Sequence, residues 1–124
     1  MTGSRALRRA LAAGALTLSA GCASVPTVPL ADVRPIVGKW SGTITVGHGL
    51  PQFYYLTVNP DATIVATWGV NWQWGKITLS GGRARFELSA VSSGTLEYFD
   101  GKDGRVITME PDFGGWYVYL TPLK

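Results

Sequence analysis

The sequence predicts an all-β protein, an eight-stranded antiparallel meander β-barrel that follows an N-terminal signal helix and a proline-rich tether. Apolar and polar residues alternate with a period of two in several segments, of which KWSGTITV at 39–46 is the clearest. Glycine, asparagine and aspartate separate these segments at hairpin spacing. Because period-two alternation buries one face of a strand and exposes the other, these observations favour antiparallel sheet over helix.

The first 21 residues have the layout of an export signal. Three arginines and no acidic residue precede an apolar run from Ala10 to Ala20. The run is too short to span a bilayer as a mature helix, and charged and apolar regions in this order are typical of secretory signals. We therefore assign 1–21 to a signal peptide and exclude it from the fold.

The only cysteine of the chain, Cys22, ends this signal in the sequence LSAGC. This sequence resembles the lipobox of bacterial lipoproteins, although the usual leucine lies one place further from the cysteine and Ser19 fills its position. The resemblance implies that Cys22 becomes the lipidated first residue of the mature chain. Ala23 follows it, which by the same resemblance implies the outer membrane, facing the periplasm. The alternative is an ordinary secretory signal with an unrelated cysteine.

Residues 22–35 contain three prolines among small residues and show neither a helical nor a strand period. Proline favours extended conformations, so this segment is predicted to be a flexible tether that holds the domain roughly tens of ångströms from the lipid. The folded domain is predicted over 36–124, a length that supports one core.

Eight strands are predicted in this domain, joined by turns that are rich in glycine, asparagine and aspartate. Consecutive hairpins of eight short strands can close on themselves, which removes the unpaired edges of an open sheet. The alternative is an open or sandwiched sheet of the same strands. The predicted strands are 37–46, 52–58, 62–68, 71–79, 83–89, 94–100, 104–111 and 115–122.

The first strand opens with Gly38-Lys39-Trp40, which resembles the glycine-x-tryptophan signature of lipocalin-like and avidin-like barrels. In those families the tryptophan packs across one end of the barrel. The segment LTVNPDATIVATW also resembles a hairpin of many small bacterial β-domains. Because one fold hosts many functions, we transfer no ligand from this likeness.

Charge and side-chain chemistry argue against several function classes. The formal charge of +3 belongs to the precursor, and from Cys22 onward eight basic residues balance eight acidic ones, so no basic excess favours nucleic acid. We expect no enzyme activity, cofactor or metal site, since His48 lies alone in a glycine turn and the Asp100 to Glu110 segment departs from calcium-loop spacing. A hydrolase using Glu87, Glu97 or Asp100 is disfavoured, because arginines are equally placed to pair with these acids.

Aromatic content points to binding. The five tryptophans, five tyrosines and four phenylalanines all follow the tether, and strand alternation cannot hide every ring. Exposed aromatic clusters mark contact surfaces, whereas cross-strand pairs of rings simply stabilise a sheet. We therefore predict a non-enzymatic binding module, with the pairing of rings as the alternative explanation.

Two versions of this module remain open, because one sequence does not fix the volume inside a barrel. In the first version a small apolar ligand lies within the barrel near Trp40, Trp68, Trp72, Trp74 and Trp116. In the second version the barrel is filled, and an exterior strip contacts or inhibits a protein of the cell envelope through Tyr54, Tyr117 and Tyr119.

Overall fold

The computed structural model of this protein describes residues 25–89 and 92–124, and the chain there folds as a closed eight-stranded antiparallel barrel. Cys22 and the predicted signal peptide lie outside these residues. Each strand pairs with its neighbours in sequence, and β1 pairs with β8 to close the barrel. The predicted meander barrel is confirmed, and the open sheet is wrong. Within the described ranges no helix is long and apolar enough to cross a membrane.

The strands begin and end close to the predicted positions, because the turn residues that the sequence offers are the ones that the barrel uses. One short 3₁₀ helix, η1 (Arg34–Ile36), precedes the first strand. The strands are β1 (Gly38–Val46), β2 (Gln52–Val58), β3 (Thr63–Trp68), β4 (Asn71–Ser80), β5 (Arg83–Leu88), β6 (Ser92–Gly101), β7 (Gly104–Pro111) and β8 (Trp116–Pro122).

The meander gives the barrel two distinct ends. The β1–β2, β3–β4, β5–β6 and β7–β8 connections lie at one end, which we call the loop end. The β2–β3, β4–β5 and β6–β7 turns lie at the other, together with the chain that enters β1. We call this second end the closed end, because the entering chain covers it.

Residues 25–37 pack against the closed end. The amide of Val28 donates to the carbonyl of Tyr98 at 2.7 Å, and the amide of Leu30 donates to the carbonyl of Gly82 at 3.0 Å. Leu30, Val33 and Ile36 bury their side chains in the core. The described part of the predicted tether is therefore not a free spacer, because the barrel buries two of its apolar side chains, Leu30 and Val33.

Trp40 lies at the closed end and is almost completely buried, with 1% of its surface exposed. Its indole N–H donates to the carbonyl of Ile36 at 2.9 Å, and the edge of Tyr98 meets it with ring centres 6.4 Å apart. The Arg105 guanidinium lies 5.3 Å from the centre of the Trp40 ring and donates to the carbonyl of Pro35 at 3.0 Å. The tryptophan thus joins the barrel to the chain that covers it.

Side chains fill the barrel interior. A void large enough for water would expose the atoms around it, yet large inward side chains from seven of the strands have at most 2% of their surface exposed. The residues that fill the barrel include Trp40, Tyr54, Leu56, Val58, Ile64, Phe86, Leu88, Leu96, Ile107, Met109, Val118 and Leu120.

Candidate binding surface

The five tryptophans do not meet in one chamber. Trp40 lies at the closed end, whereas Trp68 and Trp116 are half-buried near the loop end. Trp72 and Trp74 point outward, with 55% and 54% of their surfaces exposed. The prediction that all five surround an internal ligand is wrong for these two, since they pair across the ladder with outward residues of β3.

Tyr54 faces the opposite way from its predicted position. Its side chain points into the barrel with 1% exposed and stacks on Trp68, with ring centres 5.3 Å apart. Its place on an exterior strip is therefore wrong, because Tyr54 shares the face of Leu56 and Val58, which fill the core. Burial also raises the pKa of Tyr54 above the usual tyrosine value.

Replacing Tyr54 by phenylalanine is expected to stabilise the domain. The Tyr54 hydroxyl has no hydrogen-bond partner among the described residues, and a buried unpaired hydroxyl costs about 1–3 kcal/mol. We expect Tyr54→Phe to raise the free energy of unfolding by about 1 kcal/mol in urea titrations. Tyr119→Phe, on the exposed side of β8, is the matched control and is expected to change stability by less than about 0.5 kcal/mol. A loss of stability in Tyr54→Phe would contradict this account.

Tyr117 and Tyr119 lie on the outside of the barrel, as the alternation in β8 predicts. Sequence reasoning missed two further exposed rings, Phe53 and Tyr55, although the parity of Leu56 and Val58 on the same strand would have placed them outside. We call the six exposed rings on the barrel wall the outer aromatic face. Its members are Phe53, Tyr55, Trp72, Trp74, Tyr117 and Tyr119.

Rings of the outer aromatic face come from alternate strands, β8, β2 and β4, and the strands between them present threonine, serine and valine. Two strand spacings separate neighbouring groups, about 10 Å along the sheet. In two places a pair of rings flanks the same threonine on the strand between them. Tyr55 and Trp72 both pair with Thr67 of β3, and Phe53 and Tyr119 both pair with Thr43 of β1.

This spacing argues against the pairing of rings as the reason for their exposure. In the described part of the chain, Trp72 and Trp74 form the one ring pair on this face, and they belong to the same strand, with centres 5.2 Å apart. The other rings lie opposite small polar side chains rather than each other. Cross-strand aromatic pairing therefore does not explain the outer aromatic face.

Charged side chains lie around this face rather than within it. Lys39 and Lys76 mark its border toward the closed end, and Lys76 lies 3.9 Å from Glu87 on β5. Beyond β8, Arg85 forms a two-pronged ion pair with Asp112, which holds the pKa of this carboxyl below its usual range. The wall of the barrel is thus divided into an uncharged aromatic side and a charged side.

Three apolar side chains extend from the loop end into solvent. Leu50 is 87% exposed, Val70 is 100% exposed and Phe113 is 90% exposed. They belong to the β1–β2, β3–β4 and β7–β8 connections, so the meander places all three at the same end. Sequence reasoning overlooked them, because they lie in segments that were interpreted only as turns. We call them the apolar tips.

One cavity, of about 510 Å³, lies at the closed end of the barrel. It is lined by the entering chain at Thr27–Leu30, by the β4–β5 turn and by the adjoining parts of β5 and β6. Its lining includes three charged residues, Arg83, Arg85 and Glu97. A second cavity, of about 550 Å³, is lined by residues of the entering chain alone, from Pro29 to Pro35.

The acidic residue Glu87 and the single histidine lie apart on the surface of the barrel. Glu87 is near Lys76 on the surface, and His48 is exposed in its turn. Among residues 25–89 and 92–124, no three histidine, cysteine or acidic side chains are placed to hold a metal ion. Comparison with known proteins finds no family model, curated protein or solved structure that matches this chain.

Proposed function

We propose that this protein is a lipid-anchored, non-enzymatic docking module of the bacterial cell envelope, which binds a protein through the outside of a filled barrel. The observation that carries the proposal is the division of the barrel wall. Six rings are exposed on its uncharged side, while large inward side chains from seven strands have at most 2% of their surface exposed, which favours a filled interior.

Exposed rings are costly to a protein that keeps them in water, so their concentration on one side calls for a partner. Tryptophan and tyrosine offer large apolar area with a polar atom at the tip, and they dominate the energy of protein interfaces. Charged residues are depleted from the centres of such interfaces and enriched at their rims. The outer aromatic face, with Lys39 and Lys76 at its border, has this arrangement.

The internal-ligand version is less well supported. Its five tryptophans divide among the closed end, the loop-end interior and the outer wall. A ligand of ordinary size would have to displace side chains such as Phe86 and Met109, which are fully buried. Interiors packed to this density do not open without a large loss of stability.

The lipid anchor is the second part of the proposal and rests on the likeness of residues 18–22 to a lipobox. Val25 contacts the β6–β7 hairpin, since a methyl group built on Gly101 would lie 3.2 Å from its side chain. Val25 is the third residue after Cys22, so the two Cα atoms are at most about 11 Å apart. Lipid on Cys22 would therefore hold the closed end beside the membrane rather than far from it.

Photo-crosslinking in the producing cell tests the protein partner. A photoreactive phenylalanine analogue at Trp74 or at Tyr119 is expected to join the domain to the same envelope protein. The same analogue at Thr95, an exposed residue on the charged side of the wall, is the matched control and is expected to give no adduct.

Two outcomes would overturn the proposed function. Equal adducts from Thr95 and from the outer aromatic face would mean that the rings have no special role. An apolar molecule extracted from the purified, detergent-free domain in stoichiometric amount would restore the internal-ligand version.

A further inference from the structure

We infer that the apolar tips enter an apolar depression on the partner protein, and that this end of the barrel faces away from the membrane that holds the lipid anchor. The inference rests on the proposed function and deepens it, because it names the part of the barrel that enters the partner and the side on which the partner lies. Its basis is the position of the tips and of the entering chain at opposite ends of the fold.

The apolar tips form one surface with the outer aromatic face. The rings lie in the loop-end half of the barrel, since Phe53, Trp72 and Tyr117 are each the second residue of their strand from that end. The amide of Gly47 donates to the carbonyl of Gly115 at 2.6 Å, which ties the loop of Leu50 to the loop of Phe113. Because this hydrogen bond already orders the two loops, they lose little conformational entropy when the tips bind a partner.

The anchoring bilayer is an obvious alternative occupant, because apolar side chains above a band of tryptophan and tyrosine are also typical of membrane interfaces. The position of the entering chain argues against it. Val25 lies at the β6–β7 turn of the closed end, and Cys22 can lie at most about 11 Å away.

The barrel is longer than the distance of at most about 11 Å between Cys22 and Val25. A ten-residue strand such as β4 or β6 rises about 33 Å along its own direction, and at a typical tilt this corresponds to about 25 Å along the barrel axis. With the closed end held near the lipid, the tips stand on the aqueous side. They are therefore placed to meet a protein there rather than the bilayer.

Charge narrows the chemistry of this partner. The three loops with apolar tips contain no lysine or arginine, and their one acidic residue, Asp112, is already paired with Arg85. An anionic headgroup or a nucleic acid would find no cation there. A depression lined by apolar side chains on a protein is the complementary surface.

Fluorescence quenching in vesicles tests the orientation. The lipidated full-length protein is reconstituted in phosphatidylcholine vesicles that contain a headgroup spin-label quencher, with bimane attached at Val70→Cys, Phe113→Cys or Lys102→Cys. We expect strong quenching at position 102, in the β6–β7 turn, and little at 70 or 113. Adding Cys22→Ser, which removes the anchor, is expected to abolish the quenching. Strong quenching at 70 and 113 would overturn the inference in favour of the bilayer.

Substitution of the tips tests the partner contact. Val70→Asp and Phe113→Asp are each expected to weaken the adduct formed from Trp74 by about tenfold or more, because each removes an apolar side chain from a buried contact. Lys102→Asp, a new acid at the closed end, is the control and is expected to leave it unchanged. An adduct of two copies of this chain would instead make the surface a self-association site and overturn the inference.

The two proposals fail in distinguishable ways. An adduct from Trp74 and Tyr119 that persists in the tip variants would remove the inference and leave the proposed function standing. If neither the outer aromatic face nor the tips gave an adduct, both the inference and the proposed function would be wrong.

Discussion

Replacing Gly42 by alanine is expected to prevent the barrel from closing. Gly42 lies on the inward face of β1 between Trp40 and Ile44, opposite Leu120 of β8. A methyl group at this position would overlap the carbonyl oxygen of Tyr119, which belongs to the backbone and cannot turn aside. Glycine within a strand commonly marks such a close backbone approach or a sharp bend at a barrel corner.

The expected loss is larger than that of an ordinary substitution. Separating β1 from β8 to admit the methyl group breaks the ladder that closes the barrel, so we expect a cost of more than about 4 kcal/mol. Domains of this size are stable by about 5–15 kcal/mol, so the variant is expected to be largely unfolded in far-ultraviolet circular dichroism.

Gly115→Ala is the matched control. Gly115 lies in the β7–β8 connection, and a methyl group built there meets no atom within 4 Å. We expect this variant to unfold in urea within about 0.5 kcal/mol of the wild type. If Gly42→Ala were as stable as Gly115→Ala, the close approach of β1 and β8 would be wrong.

Two other inward glycines approach a backbone carbonyl group of the neighbouring strand as closely as Gly42 does. A methyl group on Gly75 would overlap the carbonyl oxygen of Glu87, and one on Gly94 would overlap that of Glu110. The three positions lie on β1, β4 and β6, so the close approaches are distributed around the barrel. Alternation in the sequence places these glycines on the inward face but gives no sign of the carbonyl groups that they meet.

Strand order and strand ends follow from the sequence because both depend on local signals. Hairpin turns need glycine, asparagine or aspartate at defined places, and period-two alternation fixes which residues share a face. Where the pattern is clear, as in β5 and β8, each inward residue was placed correctly. In β2 the three consecutive aromatics obscured the pattern, and only Leu56 and Val58 further along the strand determine that Tyr54 is inside.

The binding surface was harder to predict for a different reason. The spacing of the rings on alternate strands depends on which strands pair and in which register, and those are long-range properties. The segment 25–35 was misjudged because its composition is that of a linker. Its two buried side chains, Leu30 and Val33, and the following buried residue, Ile36, are spaced by three residues and match the shape of the closed end rather than a regular helix or strand.

Replacing Trp40 by alanine is expected to lower the free energy of unfolding by about 3–5 kcal/mol, because a large buried ring leaves a cavity that the closed end cannot fill. The change also removes the hydrogen bond to the carbonyl of Ile36 and the apolar support of Tyr98 and Arg105. The entering chain is therefore expected to become sensitive to proteolysis before the barrel strands do. Urea unfolding and limited digestion with thermolysin, which cleaves before apolar residues such as those of the entering chain, measure the two effects.

Trp72→Ala is the matched control, since it makes the same substitution on the outer wall and leaves the same number of tryptophans for fluorescence. We expect it to change the free energy of unfolding by less than about 0.5 kcal/mol and to weaken the envelope adduct. If Trp72→Ala instead destabilised the domain as much as Trp40→Ala, the outer rings would be structural, and their exposure would lose its weight as a sign of a partner. A stable Trp72→Ala domain that no longer captures its partner would separate folding from docking on one barrel, with the closed end serving the first and the outer aromatic face the second.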